Sequence, residues 1–69
     1  MEYKRITADF DTLAYKNLGE VSTMLHSSKA DALRRALSLT HYVLEQRVKG
    51  NRIVIEDENG ENRREIMTF

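Results

Sequence analysis

Near its N-terminus the chain reads Lys4-Arg5-Ile6-Thr7-Ala8-Asp9-Phe10. Apolar and polar residues alternate along this stretch, and a period of two residues is typical of a β-strand with one buried face. The apolar face of the predicted strand consists of Ile6, Ala8 and Phe10. Its polar face consists of Arg5, Thr7 and Asp9. The stretch therefore predicts a half-buried strand that needs a neighbouring strand.

Residues 12–48 offer no such neighbour, because their apolar residues recur with a helical period. A lone strand leaves its backbone N–H and C=O groups unpaired, and burying unpaired groups is costly. The most direct partner is the same strand of a second copy. We therefore predict an intertwined homodimer joined by an intermolecular two-stranded antiparallel ribbon.

The small size of the chain also favours dimerisation. A chain of 69 residues can bury only a small core alone, so such chains often add disulfides, a structural metal or a second subunit. The sequence contains no cysteine, which excludes disulfides and thiolate metal sites. His26 and His41 therefore lack the cysteines that would complete a zinc site with them. We expect neither a metal nor a cofactor.

The charges balance overall but are unevenly distributed. The chain has 11 basic and 11 acidic side chains, which argues against a polycationic nucleic-acid binder. Residues 12–50 nevertheless carry a net charge of +3, and residues 51–69 carry −2. No apolar run approaches the ~20 residues that span a membrane. No signal peptide is recognisable either, so we expect a cytoplasmic protein.

Two amphipathic helices are predicted after the strand. Asp11 or Thr12 can cap the first helix, because a short oxygen side chain accepts hydrogen bonds from the free N–H groups at a helix start. Ser28 can cap the second helix in the same way. Gly50 ends that helix at a position where glycine is favoured. The second helix has a broad apolar stripe, which suits burial in a dimer.

The tail has a different character. Residues 52–55 are prone to form a strand, and residues 64–69 could form the returning strand. Asn59-Gly60 is the dipeptide that best tolerates the positive φ angles of a tight two-residue turn. We therefore predict a C-terminal β-hairpin, which could also be partly disordered until a partner binds.

The order of these features resembles the ribbon-helix-helix family of DNA-binding proteins. The strand matches as Arg5-Ile6-Thr7-x-x-Phe10. The start of the second helix matches as Ser28-Lys29-x-x-Ala32-Leu33-Arg34-x-Ala36-Leu37. The resemblance covers about residues 3–48. It implies a mainly α fold in which residues 1–50 form a dimerisation and DNA-binding domain, with residues 51–69 as a tail.

The resemblance also implies which residues meet DNA. The ribbon would enter the major groove of double-stranded DNA, where its polar face reads base edges. The base-reading residues would be Arg5, Thr7 and Asp9. An aspartate departs from the uncharged polar or basic residue usual at the third position; it can accept from cytosine or pair with Arg5 of the second copy. The phosphate-binding residues would be Ser27, Ser28 and Lys29.

The implied function is that of a sequence-specific transcriptional regulator, acting as a repressor. No catalytic set and no glycine-rich phosphate loop is visible, so we do not expect an enzyme. Two alternatives stay open. In the first, the protein is an antitoxin whose residues 51–69 bind a toxin or another protein. In the second, it is a protein-interaction module that binds no DNA, with the first strand paired to the tail hairpin of the same chain.

Overall fold

The structure is a computed structural model and describes residues 2–66. It is mainly helical, with one small antiparallel sheet in the described residues. The elements are helix α1 (Thr12–Met24), helix α2 (Lys29–Val48), strand β1 (Val54–Ile55) and strand β2 (Arg64–Glu65). This order confirms the two predicted helices and the tail hairpin. The chain divides into two compact units, Met1–Arg34 and Arg35–Phe69, with the boundary inside α2.

Residues 2–11 precede α1 and belong to neither a helix nor a strand in the single chain. All ten are exposed, including the apolar Ile6 and Phe10. A ribbon between two chains would form its hydrogen bonds with the second copy, so the N-terminal strand stays a prediction.

Both helices begin where an oxygen side chain caps them. Asp11 precedes α1, and its Oδ1 accepts a hydrogen bond from the Ala14 amide at 2.7 Å. Ser28 precedes α2, and its Oγ accepts one from the Asp31 amide at 3.0 Å. These bonds satisfy N–H groups that have no partner within the helix. Both predicted N-terminal boundaries are therefore confirmed.

Both helices also end in the same way, with a residue of positive φ. His26 follows α1 with φ 53°, and Gly50 follows α2 with φ 86°. After each helix, two amides donate back to carbonyls of the last turn, which is the Schellman pattern. The four bonds run from the His26 amide to Thr23, Ser27 to Ser22, Gly50 to Arg47 and Asn51 to Gln46, at 3.0 or 3.1 Å. Gly50 thus ends α2 as predicted.

The tail hairpin is short. Val54 lies opposite Glu65 and Ile55 opposite Arg64, and the Ile66 amide donates to a carbonyl of residue 53 at 2.8 Å. The predicted returning strand extended over residues 67–69, which lie outside the described residues. The described sheet consists of β1 and β2 alone, so the sheet of the second alternative, which adds the N-terminal strand, is not formed in residues 2–66.

The turn of the hairpin differs from the prediction. The type I′ turn that Asn-Gly favours needs positive φ at both of its residues, but of Asn59 and Gly60 only Gly60 has it, at 77°. The Asp57 amide donates to the Glu61 carbonyl at 2.9 Å, and the Gly60 amide donates to the Asp57 carbonyl at 3.0 Å. These bonds enclose a three-residue loop, residues 58–60, with glycine at its left-handed position.

The carboxylate of Asp57 accounts for the wider loop. Its Oδ1 accepts from the amides of Asn59 at 3.0 Å and Glu61 at 2.8 Å. Its Oδ2 accepts from the Asn62 side chain at 2.9 Å. These bonds lower the pKa of Asp57 below its ordinary value of 3.8, the Glu61 amide contributing most. The loop is thus organised around one negative charge.

Almost no apolar side chain is buried. Among residues 2–66, Ala32 is the only buried apolar residue and Ser22 the only buried polar one. Large apolar side chains are exposed on both helices, and the exposed fraction reaches 89% at Val48. A chain of this size normally buries more than half of the surface of its unfolded form. The described part of the chain has no helix long and apolar enough to cross a membrane.

We expect the hairpin loop to weaken in acid. Because the pKa of Asp57 is lowered in the folded loop, its stabilisation is fully present above the ordinary aspartate pKa and is lost as pH falls through the folded value. Hydrogen exchange of the Glu61 amide, measured from neutral pH downwards and corrected for intrinsic exchange, should show falling protection. An Asp57→Asn variant should lack this dependence; an equal loss in the variant would contradict the prediction.

Candidate nucleic-acid interface

The predicted base-reading side chains are accessible. Arg5, Thr7 and Asp9 are all exposed, and within residues 2–66 none of them forms a hydrogen bond or an ion pair with another side chain. The neighbouring Lys4 is different, because its Nζ lies 2.8 Å from Oε1 of Glu2. The guanidinium of Arg5 and the carboxylate of Asp9, both before α1, can therefore form hydrogen bonds with a ligand.

The start of α2 presents backbone donors to solvent. Ser28 is exposed, and its side chain and carbonyl accept from the Asp31 and Ala32 amides at 3.0 and 2.9 Å. The first N–H groups of a helix have no intrahelical partner, and the helix dipole makes this end attractive to anions. Ser28 already occupies the Asp31 and Ala32 amides, so the donors left for a phosphate are the amides of Lys29 and Ala30, which form no hydrogen bond within residues 2–66.

Ser27 is placed differently from its neighbour. Its Oγ is shielded from solvent and has no hydrogen-bond partner in the described residues. In this conformation the hydroxyl cannot act as an outer phosphate contact, because a phosphate could not reach it. A buried hydroxyl without a partner costs about 1–3 kcal/mol. The phosphate contact predicted at Ser27 would therefore need a rearrangement of the turn between α1 and α2.

Lys29 contacts Tyr15, and no pattern in the sequence indicates this contact. Its Nζ lies 5.4 Å from the centroid of the Tyr15 ring, a distance typical of a cation–π contact. The Tyr15 side chain is half exposed, so the contact lies at the surface. The two residues are on different helices, so no helical spacing in the sequence could have indicated the contact.

The structure brings some of the predicted site residues together. Ser27, Ser28 and Lys29 lie next to one another at the start of α2. Within residues 2–66, no hydrogen bond or ion pair joins them to Arg5, Thr7 or Asp9. In the same residues, no group of three or more metal-ligating side chains is arranged to hold a metal ion. The predicted site residues thus offer charged and hydrogen-bonding groups for binding a ligand.

Comparison with known proteins found no matching family model, no similar curated protein and no similar solved structure.

We expect truncation of the two adjacent serines to affect stability differently. Ser28→Ala removes the cap of α2 and should destabilise the fold by about 1 kcal/mol. Ser27→Ala removes a buried hydroxyl without a partner and should be neutral or stabilising. Thermal unfolding of the two variants at one protein concentration provides the measurement. Equal destabilisation by both would show that Ser27 makes a hydrogen bond that the structure lacks.

Proposed function

We propose that the protein is a homodimeric ribbon-helix-helix DNA-binding protein that represses transcription. The observation that carries this proposal is that the large apolar side chains of residues 2–66 are all half-buried or exposed in the single chain. A chain whose residues 2–66 bury one alanine and no large apolar side chain lacks the hydrophobic stabilisation that a fold of this size needs. Association with a second copy would supply it.

The N-terminal stretch supports the same arrangement. Its apolar residues Ile6 and Phe10 are exposed by 81% and 42%, and its backbone belongs to no sheet in the single chain. Pairing two such stretches antiparallel would satisfy the backbone groups. It would also place both apolar faces against the helices and leave the polar faces outside.

The polar face supports DNA as the ligand. A two-stranded ribbon fits the major groove, where arginine can donate two hydrogen bonds to guanine and threonine can contact a base or the thymine methyl group. Arg5 and Thr7 have the chemistry for these contacts. Asp9 can accept a hydrogen bond from cytosine N4. Because nearby phosphates repel the carboxylate, sites without that cytosine would bind less tightly, and this adds selectivity.

The start of α2 supports a second, non-specific contact. The amides there and the ammonium of Lys29 would bind the DNA backbone and fix the position of the ribbon in the groove. Repression would follow if the dimer occupies an operator that overlaps the site used by RNA polymerase. Two-fold symmetry of the dimer predicts a near-palindromic operator.

The tail supports the antitoxin as a second candidate. The hairpin exposes half of the Ile55 side chain and part of Val54, and residues 51–69 carry a net charge of −2. An apolar strand with acidic neighbours is suited to a basic protein partner. A co-transcribed gene for a small toxin would favour this candidate, and such a toxin should bind the full chain but not residues 1–50.

We expect Ile6→Ala to destabilise the protein and Tyr3→Ala to leave its stability nearly unchanged. The two side chains are similarly exposed in the single chain, at 81% and 78%, but only Ile6 lies on the face that the dimer would bury. Loss of a buried isoleucine costs about 2–5 kcal/mol. The measurement is mass by light scattering at micromolar concentration, with the melting temperature followed over a dilution series.

A stable monomer with a melting temperature independent of concentration would contradict the dimer. Equal effects of the two variants would contradict the assignment of faces.

We expect Arg5→Ala to relax base preference. The substitution should cost about 1–3 kcal/mol of binding free energy on the preferred site, whereas Lys29→Ala should weaken all sequences alike and reduce the salt dependence. Binding is measured by fluorescence anisotropy to DNA from upstream of the protein's own gene, titrated over salt concentration. Arg63→Ala in the tail is the matched control, because it removes an exposed arginine outside the proposed interface.

Unchanged binding of Arg5→Ala would rule out the ribbon as the reading element. Absence of binding at low salt would rule out the proposed function and direct attention to a protein partner of the tail.

A further inference from the structure

Lys29 belongs to α2 but packs on α1. Its Nζ lies 5.4 Å from the ring centroid of Tyr15. Its Cε lies 3.9 Å from the position that a Cβ on residue 19 would occupy. Tyr15 and Gly19 are four residues apart, so they lie on the same face of α1, one turn from each other. The lysine stem therefore lies beside the glycine and its ammonium ends at the tyrosine ring.

The contact restricts the lysine without burying it. A cation is attracted to the negative face of an aromatic ring, whereas a free lysine side chain has many rotamers of similar energy. Lys29 and Tyr15 are both exposed. The ammonium has three N–H donors, and the ring face can engage only the side of the ammonium that is turned towards it. Donors therefore remain for a second ligand.

We propose that Tyr15 is a positioning residue for the contact between Lys29 and the DNA backbone. This inference rests on the proposed function. An ammonium that is already restricted by the ring loses less conformational freedom when it meets a phosphate, and such pre-organisation strengthens binding. Tyr15 acts through Lys29 and makes no phosphate contact of its own.

Two substitutions separate the ring from the hydroxyl and from simple packing. Tyr15→Phe retains the ring face, and Tyr15→Leu removes it but retains an apolar side chain of similar reach. On a duplex of mixed sequence, Tyr15→Leu should weaken binding about two- to five-fold, as expected for loss of an exposed cation–π contact. Tyr15→Phe should bind as the unmodified protein does. Circular dichroism of each variant checks that the helices are retained.

The double variant tests whether Tyr15 acts through the lysine. Tyr15→Leu combined with Lys29→Ala should bind no more weakly than Lys29→Ala alone, because the ring then has no ammonium to hold. Additive losses from the two substitutions would overturn the proposal, since independent sites add and coupled sites do not.

A spectroscopic measurement on the free protein distinguishes this inference from the proposed function. Protons above a ring face are shielded, so the ε-methylene protons of Lys29 should resonate upfield in the unmodified protein and in Tyr15→Phe. They should return to the usual lysine position in Tyr15→Leu. An unchanged shift in Tyr15→Leu would overturn the positioning role, whatever the DNA titrations give. The expected shifts without any DNA binding would instead overturn the proposed function, leaving a contact without that role.

Discussion

The single chain is too small to bury the apolar side chains of its own helices. The rest of the structure depends on this shortage of buried apolar surface. Each helix carries an apolar stripe that one chain covers only in part, and only Ala32 is buried among the apolar residues described. Burial of apolar surface is the main favourable contribution to folding, at about 25 cal/mol per Å². Without it, the two helices depend on their caps and local hydrogen bonds, which stabilise isolated helices only marginally.

The features that sequence reasoning predicted well are those decided locally. Asp11 and Ser28 cap helices because short oxygen side chains accept from amides two or three residues further on. Gly50 ends α2 because glycine adopts a positive φ without steric cost. The tail strands were identified by their β-prone residues, and the described sheet contains parts of both. These assignments need no knowledge of what the helices pack against.

The features that were missed depend on particular side-chain geometry. The Asn59-Gly60 pair suggested a two-residue turn, but the three hydrogen bonds to the Asp57 carboxylate favour a wider loop. Ser27 and Ser28 look equivalent in sequence, yet only the second has a hydroxyl that hydrogen-bonds. The contact of Lys29 with Tyr15 joins two helices, so no local pattern signals it. For the predicted site residues, the sequence pattern does not indicate how their side chains are oriented.

The local character of the hydrogen bonds has a consequence for how fast the protein folds. The bonds that begin and end both helices span five residues or fewer, and those of the hairpin loop lie within residues 57–62. Local contacts of this kind form in microseconds, whereas distant contacts are slow because their loops must close first. Helices and loop would therefore form and unfold many times before the apolar stripes are covered, because they are only marginally stable alone. The slow step would be the encounter with whatever covers them, so the refolding rate would rise with the concentration of that partner.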